Sequence, residues 1–102
     1  MLPEILQSNQ STIETLCRQH KVLRLDAFGS VLRDDFHAQS DIDLLVKFQR
    51  DADTDAFLQY FEFKEALESV LGRQVDLVCE TAIRNSHFRQ ELEATRQSLY
   101  AA

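Results

Sequence analysis

Three aspartates in this sequence have the type and spacing that metal-assisted phosphoryl chemistry requires. Asp41 and Asp43 are separated by one residue, and on a strand such side chains project from one face, roughly 7 Å apart at the backbone. Carboxylates placed in this way can converge on two divalent cations about 3.5–4 Å apart, the spacing used for in-line phosphoryl displacement. Asp76, in a later apolar segment, is predicted to complete the cluster from a neighbouring strand.

The chemistry of such a cluster indicates which ion it would hold. Three carboxylates crowded into a small volume repel one another unless a cation neutralises them. Oxygen ligands of this kind suit Mg²⁺ or Mn²⁺ and not zinc. Taken alone, however, an Asp-x-Asp pattern is more often just the polar edge of a half-exposed strand, so the prediction needs further residues.

Gly29 and Ser30 supply a second feature, with ten residues between Ser30 and Asp41. A glycine lets the backbone approach a phosphate closely, and a serine hydroxyl with nearby N–H groups can hold phosphate oxygens. Arg33 is open to two interpretations. It either places a cation over a triphosphate or pairs at the surface with the two aspartates that follow it.

The elements that must position these residues follow from hydrophobic periodicity. Strands are predicted over residues 22–28, 41–48 and 74–79, and helices over 3–20, 54–71 and 85–99. An S-x-x-E pattern at Ser11 predicts that a second helix begins there. Asp55 and its neighbours are expected to form a solvated loop and helix cap, and Gly72 is expected to end the long helix.

The three predicted strands share one property: each has a wholly apolar face, and the opposite faces carry Asp26, Asp41, Asp43 and Asp76. The apolar faces are expected to pack on the helices. The predicted fold is therefore of the α/β (α+β) class, a small mixed three-stranded sheet with helices packed on one face. Residues 1–102 are expected to form one domain.

Composition limits the functions that fit this chain. The net charge of −6 among 102 residues disfavours binding to nucleic acid or to a membrane surface and favours a basic partner surface. Cys17 and Cys79 lack metal-site spacing and are expected to be reduced and packed. With neither a secretory leader nor an apolar stretch of membrane-spanning length, a cytoplasmic location is predicted.

Residues 29–46, GSVLRDDFHAQSDIDLLV, resemble the signature of the polymerase-β-like nucleotidyltransferases in their compact form, the minimal nucleotidyltransferase (MNT) domain. The shared pattern is Gly-Ser, ten residues, Asp-x-Asp and a third aspartate in a later strand, here Asp76 in QVDLV. The predicted helices also fall where that family has them. The resemblance therefore covers nearly the whole chain and implies the polymerase-β-like nucleotidyltransferase fold.

The resemblance also implies a role for each motif residue. Asp41 and Asp43 would bind two Mg²⁺ ions and, through them, the β- and γ-phosphates of a nucleoside triphosphate. Gly29 and Ser30 would hold the triphosphate. Asp76 would ligate the catalytic metal and help to activate the attacking hydroxyl, which displaces pyrophosphate from the α-phosphorus.

Stand-alone MNT proteins of this size resemble antitoxins paired with a HEPN-domain toxin, a helical ribonuclease. That resemblance implies transfer of AMP from ATP to a tyrosine of the toxin. Two alternatives stay open. The first is that the chain neutralises the toxin by occlusion, because Leu32 and Asp34 stand where the family often has a small residue and a glycine. The second is that it is an independent enzyme that nucleotidylates another protein or a small molecule.

The long central helix is more apolar than one core stripe requires. Its first two turns contain Phe57, Leu58 and Phe61. We expect these three residues to form a surface for a protein partner.

Overall fold

The computed structural model describes residues 2–32 and 40–102, apart from the side chain of Ser30. Within these ranges the chain forms four α-helices and four strands. The helices are α1 (Glu4–Gln7), α2 (Gln10–Gln19), α3 (Ala56–Leu71) and α4 (Ser86–Thr95). The strands are β1 (Val22–Ala27), β2 (Ile42–Phe48), β3 (Val75–Cys79) and β4 (Gln97–Ala101). Short 3₁₀ turns follow β1 (Gly29–Leu32) and β3 (Glu80–Ala82).

The strands form one mixed sheet in the order β3-β2-β1-β4. β2 and β3 are parallel, whereas β1 is antiparallel to both β2 and β4. The predicted mixed α/β class is confirmed, but the described residues give four strands where three were expected.

The fourth strand replaces the end of the last predicted helix. Residues 85–99 were predicted as one helix, but α4 ends at Thr95, and Arg96 has the extended dihedral angles φ −60° and ψ 143°. The following residues pair with the edge of β1, and Leu99 is buried in the main core. Pairing between segments about 70 residues apart therefore overrides the local helical periodicity.

Helices lie on both faces of the sheet. Leu44 belongs to the main core with buried residues of α1, α2 and α3, whereas its neighbour Leu45 packs with Phe28 and with Leu92 of α4. Because successive strand residues point to opposite faces, α4 must cover part of the face that carries the aspartates. The expectation of helices on one face thus holds for α1–α3 and is corrected for α4.

Local capping defines the ends of α3 as predicted. The Asp55 side chain accepts a hydrogen bond from the Leu58 N–H (3.1 Å), and Gly72 ends the helix in the left-handed conformation, with φ +65°. The capping box predicted at Ser11 is wrong, because α2 begins one residue earlier, after Asn9. Ser11 therefore lies inside the first turn of α2.

Both cysteines are free thiols. Cys17 is fully buried, and burial, helped by the nearby Glu14 carboxylate, raises the pKa of its thiol to about 12. Cys17 is therefore a packing residue and is protonated near neutral pH. No helix in the described part of the chain is long and apolar enough to cross a membrane.

Candidate active site

The aspartates of the motif lie at one end of the sheet, where β1 ends and the parallel strands β2 and β3 begin. Asp43 and Asp76 are direct partners in the β2–β3 register. Their side chains therefore share one face, on strands separated by about 4.8 Å. Asp43 is half-buried and Asp76 is exposed. The structure thus brings together two carboxylates that are 33 residues apart in the sequence.

Asp41 is exposed and lies just before the first residue of β2. The backbone around it is fixed on both sides. The Ile42 N–H donates to the carbonyl oxygen of Gln74 (3.0 Å), and the guanidinium of Arg73 donates to the carbonyl oxygen of Ser40. Arg73 is a cation beside the motif that sequence analysis missed, because its position depends on the pairing of β2 with β3.

Gly29 is in direct contact with the Asp43 carboxylate. Its φ of +68° favours glycine. A β-carbon at this position would lie 2.5 Å from Asp43 Oδ2, closer than van der Waals contact allows. The Phe28 N–H also donates to the Asp43 carbonyl oxygen (3.1 Å). Glycine therefore leaves space beside the carboxylate that any other residue would fill.

The remaining motif residues are only partly described. The backbone of Ser30 belongs to the 3₁₀ turn that starts at Gly29. Arg33 and Asp34 lie outside the described residues, so the two interpretations of Arg33 both stay open.

The donor chemistry of Asp41, Asp43 and Asp76 fits an oxygen-ligated divalent cation. Within residues 2–32 and 40–102, no three His, Cys, Asp or Glu side chains lie close enough together to hold a metal ion. Asp41 and Asp76 are both exposed, so their carboxylates can turn toward Asp43 by side-chain rotation, without repacking the core.

Asp26 is the fourth aspartate on this face, and its environment sets it apart from the others. It is fully buried and forms ion pairs with Arg96 and with Arg24 (3.0 Å). Two cations already neutralise this carboxylate, so it is structural and does not join the exposed cluster.

The contact between Gly29 and Asp43 leads to a prediction with a matched control. Gly29→Ala and Gly72→Ala both place a β-carbon at a positive φ, which should lower the free energy of unfolding by about 1–2 kcal/mol. The new β-carbon has no atom within 4 Å at Gly72 but meets Asp43 at Gly29. In urea unfolding, Gly29→Ala should therefore be clearly the less stable variant. Equal losses would show that Gly29 and Asp43 are not in contact.

Comparison with known proteins agrees with this geometry. Residues 10–99 match the nucleotidyltransferase domain family. The chain is 33% identical to a candidate protein adenylyltransferase of Methanocaldococcus jannaschii, over 90% of this chain and 88% of that protein. It is 32% identical to the protein adenylyltransferase MntA of Thermococcus cleftensis, over 72% of this chain and 79% of that protein.

Solved structures that resemble this chain also include minimal nucleotidyltransferases. A candidate minimal nucleotidyltransferase superimposes with a TM-score of 0.77 at 32% identity and 95% coverage of both chains. A toxin–antitoxin structure with AMP-PNP gives a TM-score of 0.70 at 28% identity, covering 92% of this chain and 74% of that chain. The MNT antitoxin in complex with a tri-AMPylated HEPN toxin of Shewanella oneidensis gives 0.65 at 26% identity, with coverages of 95% and 73%.

The family match spans residues 10–99, which include Gly29 and the strands that carry Asp43 and Asp76. The protein therefore belongs to the nucleotidyltransferase domain family and is an enzyme of the minimal nucleotidyltransferase type.

Proposed function

We propose that this chain transfers AMP from ATP to a hydroxyl group, in the first instance a tyrosine, of a HEPN-type toxin for which it is the antitoxin. The observation that carries the proposal is the pairing of Asp43 with Asp76 at the sheet end where Gly29 contacts Asp43. The AMPylated HEPN toxin seen with a structurally similar MNT antitoxin supports this choice of acceptor.

In this proposal each motif residue has a chemical role. Asp41 and Asp43 would hold two Mg²⁺ ions with Asp76. The turn at Gly29 and Ser30 would hold the triphosphate, and Arg33, which lies outside the described residues, would assist it. When bound, the ions neutralise the phosphates and stabilise the charge that develops in phosphoryl transfer. The acceptor oxygen forms a bond to the α-phosphorus as the bond to the β-phosphate bridging oxygen breaks. Pyrophosphate leaves, and Asp76 accepts the hydroxyl proton.

A protein partner is also supported by an exposed apolar surface, the α3 patch, formed by Phe57, Leu58 and Phe61. Phe57 is 68% exposed and Phe61 is 40% exposed, and their rings are 4.6 Å apart. The patch is at the start of α3. This helix follows the C-terminal end of β2, which is the end far from Asp43. Leu58 of this patch lines a pocket together with four exposed acidic residues, Asp51, Asp53, Asp55 and Glu62. A surface with apolar side chains beside lysines or arginines would complement it.

We expect the double variant Phe57→Ser/Phe61→Ser to weaken binding of the HEPN-type partner by about tenfold or more. Both side chains are exposed, so the thermal unfolding temperature should change little. The matched control, Phe57→Leu/Phe61→Leu, keeps the surface apolar and should bind more tightly than the serine variant. Binding is measured by calorimetry, and equal affinities for all three proteins would exclude the α3 patch as the docking surface.

The proposed function is tested by the intact mass of the HEPN-type toxin that the proposal assigns to this chain. That protein is incubated with this chain, Mg²⁺ and each of ATP, GTP, CTP and UTP, with and without EDTA. We expect one or more additions of AMP mass with ATP, none with EDTA, and a modified tyrosine in the peptide map. Tight association without any added mass would contradict transfer and favour neutralisation by occlusion. Neither binding nor added mass would point to another acceptor.

A further inference from the structure

The turn between α3 and β3, residues 72–74, is fixed to the end of α3 by two hydrogen bonds. The N–H of Gly72, which has the left-handed conformation, donates to the carbonyl oxygen of Glu68 (2.8 Å). The Glu68 side chain accepts a second hydrogen bond from the N–H of Val75, the first residue of β3 (2.9 Å). Glu68 therefore binds the chain at both ends of the turn, and the backbone between these contacts has a defined position.

This turn contacts the chain on both sides of Asp41. The guanidinium of Arg73 donates to the carbonyl oxygen of Ser40. The carbonyl oxygen of Gln74 accepts a hydrogen bond from the N–H of Ile42 (3.0 Å). Asp41 is thus held between two neighbours that are each bonded to the same turn.

Asp41 depends on these contacts more than Asp43 does. Asp43 lies within β2, where it is paired with β3 and its carbonyl oxygen accepts a hydrogen bond from the Phe28 N–H. Asp41 precedes β2, whose first residue is Ile42, and its side chain is exposed. An exposed side chain just outside a strand takes its direction mainly from its backbone, and Arg73 fixes that backbone at the preceding residue.

The charge of Arg73 argues against a direct role with a metal ion. A cation near a divalent metal ion repels it, and a guanidinium offers hydrogen-bond donors but no lone pair that could ligate a metal. The long side chain and planar group of arginine are instead suited to donating to a carbonyl oxygen of a neighbouring segment. Arg73 is half-buried, so this contact is partly shielded from water.

We propose that Arg73 is a positioning residue for the metal ligand Asp41. By holding the Ser40 carbonyl oxygen against the turn before β3, it fixes the backbone of Asp41 so that this carboxylate can bind a divalent cation together with Asp43. The inference rests on the proposed metal-assisted transfer, and it adds a residue outside the Gly-Ser and Asp-x-Asp motifs on which the metal site depends.

The test measures binding of Mn²⁺ to the purified chain, with the free ion followed by electron paramagnetic resonance. We expect Arg73→Met to weaken Mn²⁺ binding about tenfold, because residues that orient metal ligands typically contribute about 10–100-fold to metal affinity. Arg73→Lys keeps a charged donor and should restore most of this affinity. Repulsion alone predicts the opposite sign, since removing a cation would tighten Mn²⁺ binding.

The control is Arg89→Met, which removes the same charge and the same kind of hydrogen bond. The Arg89 guanidinium donates to the carbonyl oxygens of Glu80 (3.3 Å) and Ile83 (3.1 Å), beyond the C-terminal end of β3. This variant leaves the turn before β3 unchanged and should bind Mn²⁺ within about twofold of the unmodified chain. Urea unfolding verifies that each variant is folded before it is titrated.

Unchanged or tighter Mn²⁺ binding in Arg73→Met would overturn the inference and leave the proposed function intact. Equal losses in Arg73→Met and Arg89→Met would also overturn it, because the effect would then not depend on the contact with Ser40. The same holds if Arg73→Met weakens binding of inorganic tripolyphosphate, measured by calorimetry, but not of Mn²⁺, since Arg73 would then bind phosphates. If the unmodified chain binds no Mn²⁺, the metal site of the proposed function is wrong as well.

Discussion

Replacing Asp41 and Asp43 together with asparagine should lower the rate of AMP transfer by about 10³-fold or more, because a metal site supplies several kcal/mol of transition-state stabilisation. Asparagine preserves the shape of each side chain, so Asp43 keeps its packing beside Gly29 while the charge that attracts a cation is lost. The measurement is single-turnover transfer with Mg²⁺ and ATP, followed by intact mass of the acceptor.

The control is Asp53→Asn, the same type of substitution at one residue of the exposed loop beyond the opposite end of β2. It should leave the transfer rate within about twofold, since exposed charges separated by more than the Debye length of about 10 Å are largely screened. A rate within tenfold of the unmodified chain in the double variant would mean that Asp41 and Asp43 are not the metal ligands.

The same variant separates the two modes of neutralisation in cells. The α3 patch is remote from both aspartates, so the double variant should still bind the partner with unchanged affinity. If it no longer protects cells from the toxin, transfer is the neutralising step. If protection persists, binding alone is sufficient and occlusion explains the antitoxin activity.

The part of the site that sequence analysis located is local in the chain. Gly29, Asp41 and Asp43 lie within 15 residues of one another, and an alternating strand pattern sets the face of each aspartate. To predict that Asp76 belongs to the site, only one further expectation was needed, namely that its strand joins the same sheet. The parallel pairing that places Asp76 directly beside Asp43 does not follow from either strand alone.

What sequence analysis missed depends on contacts between distant segments. Residues 97–101 have no strand signal strong enough to end a helix, and only the free edge of β1 explains their extended form. Leu45 and Phe28 are both apolar residues on the aspartate-bearing face, a local sign that part of this face would be covered. The position of α4 follows from covering these residues.

Besides the β1–β4 pairing, a buried ion pair between Arg96 and Asp26 connects the junction of α4 and β4 to β1. Arg96 is 5% exposed at its side chain and also pairs with Glu80 (2.6 Å) and Glu93 (2.9 Å). Burial opposes its positive charge, but the hydrogen bonds to Glu80 and Asp26 raise the pKa of Arg96. Among the described residues, Asp26 Oδ1 has no hydrogen-bond partner, so this carboxylate depends on the cations at Oδ2.

Arg96→Met should therefore lower the free energy of unfolding by about 3–5 kcal/mol, because it leaves a buried carboxylate without its main cation. That is a large part of the about 5–15 kcal/mol that stabilises a typical domain. Arg24→Met removes the other cation, but the Arg24 side chain is 42% exposed. Its loss should cost less than about 1 kcal/mol in the same urea titration.

A third variant distinguishes the unpaired charge from loss of packing. In Asp26→Leu/Arg96→Met both charges are gone and apolar side chains fill the site, so much of the stability lost in Arg96→Met should return. If the double variant is less stable than Arg96→Met, the guanidinium acts mainly through Glu80 and Glu93 and not through Asp26. If stability is recovered, Arg96 is needed because it neutralises the buried Asp26 carboxylate. This ion pair then holds α4 beside the active site.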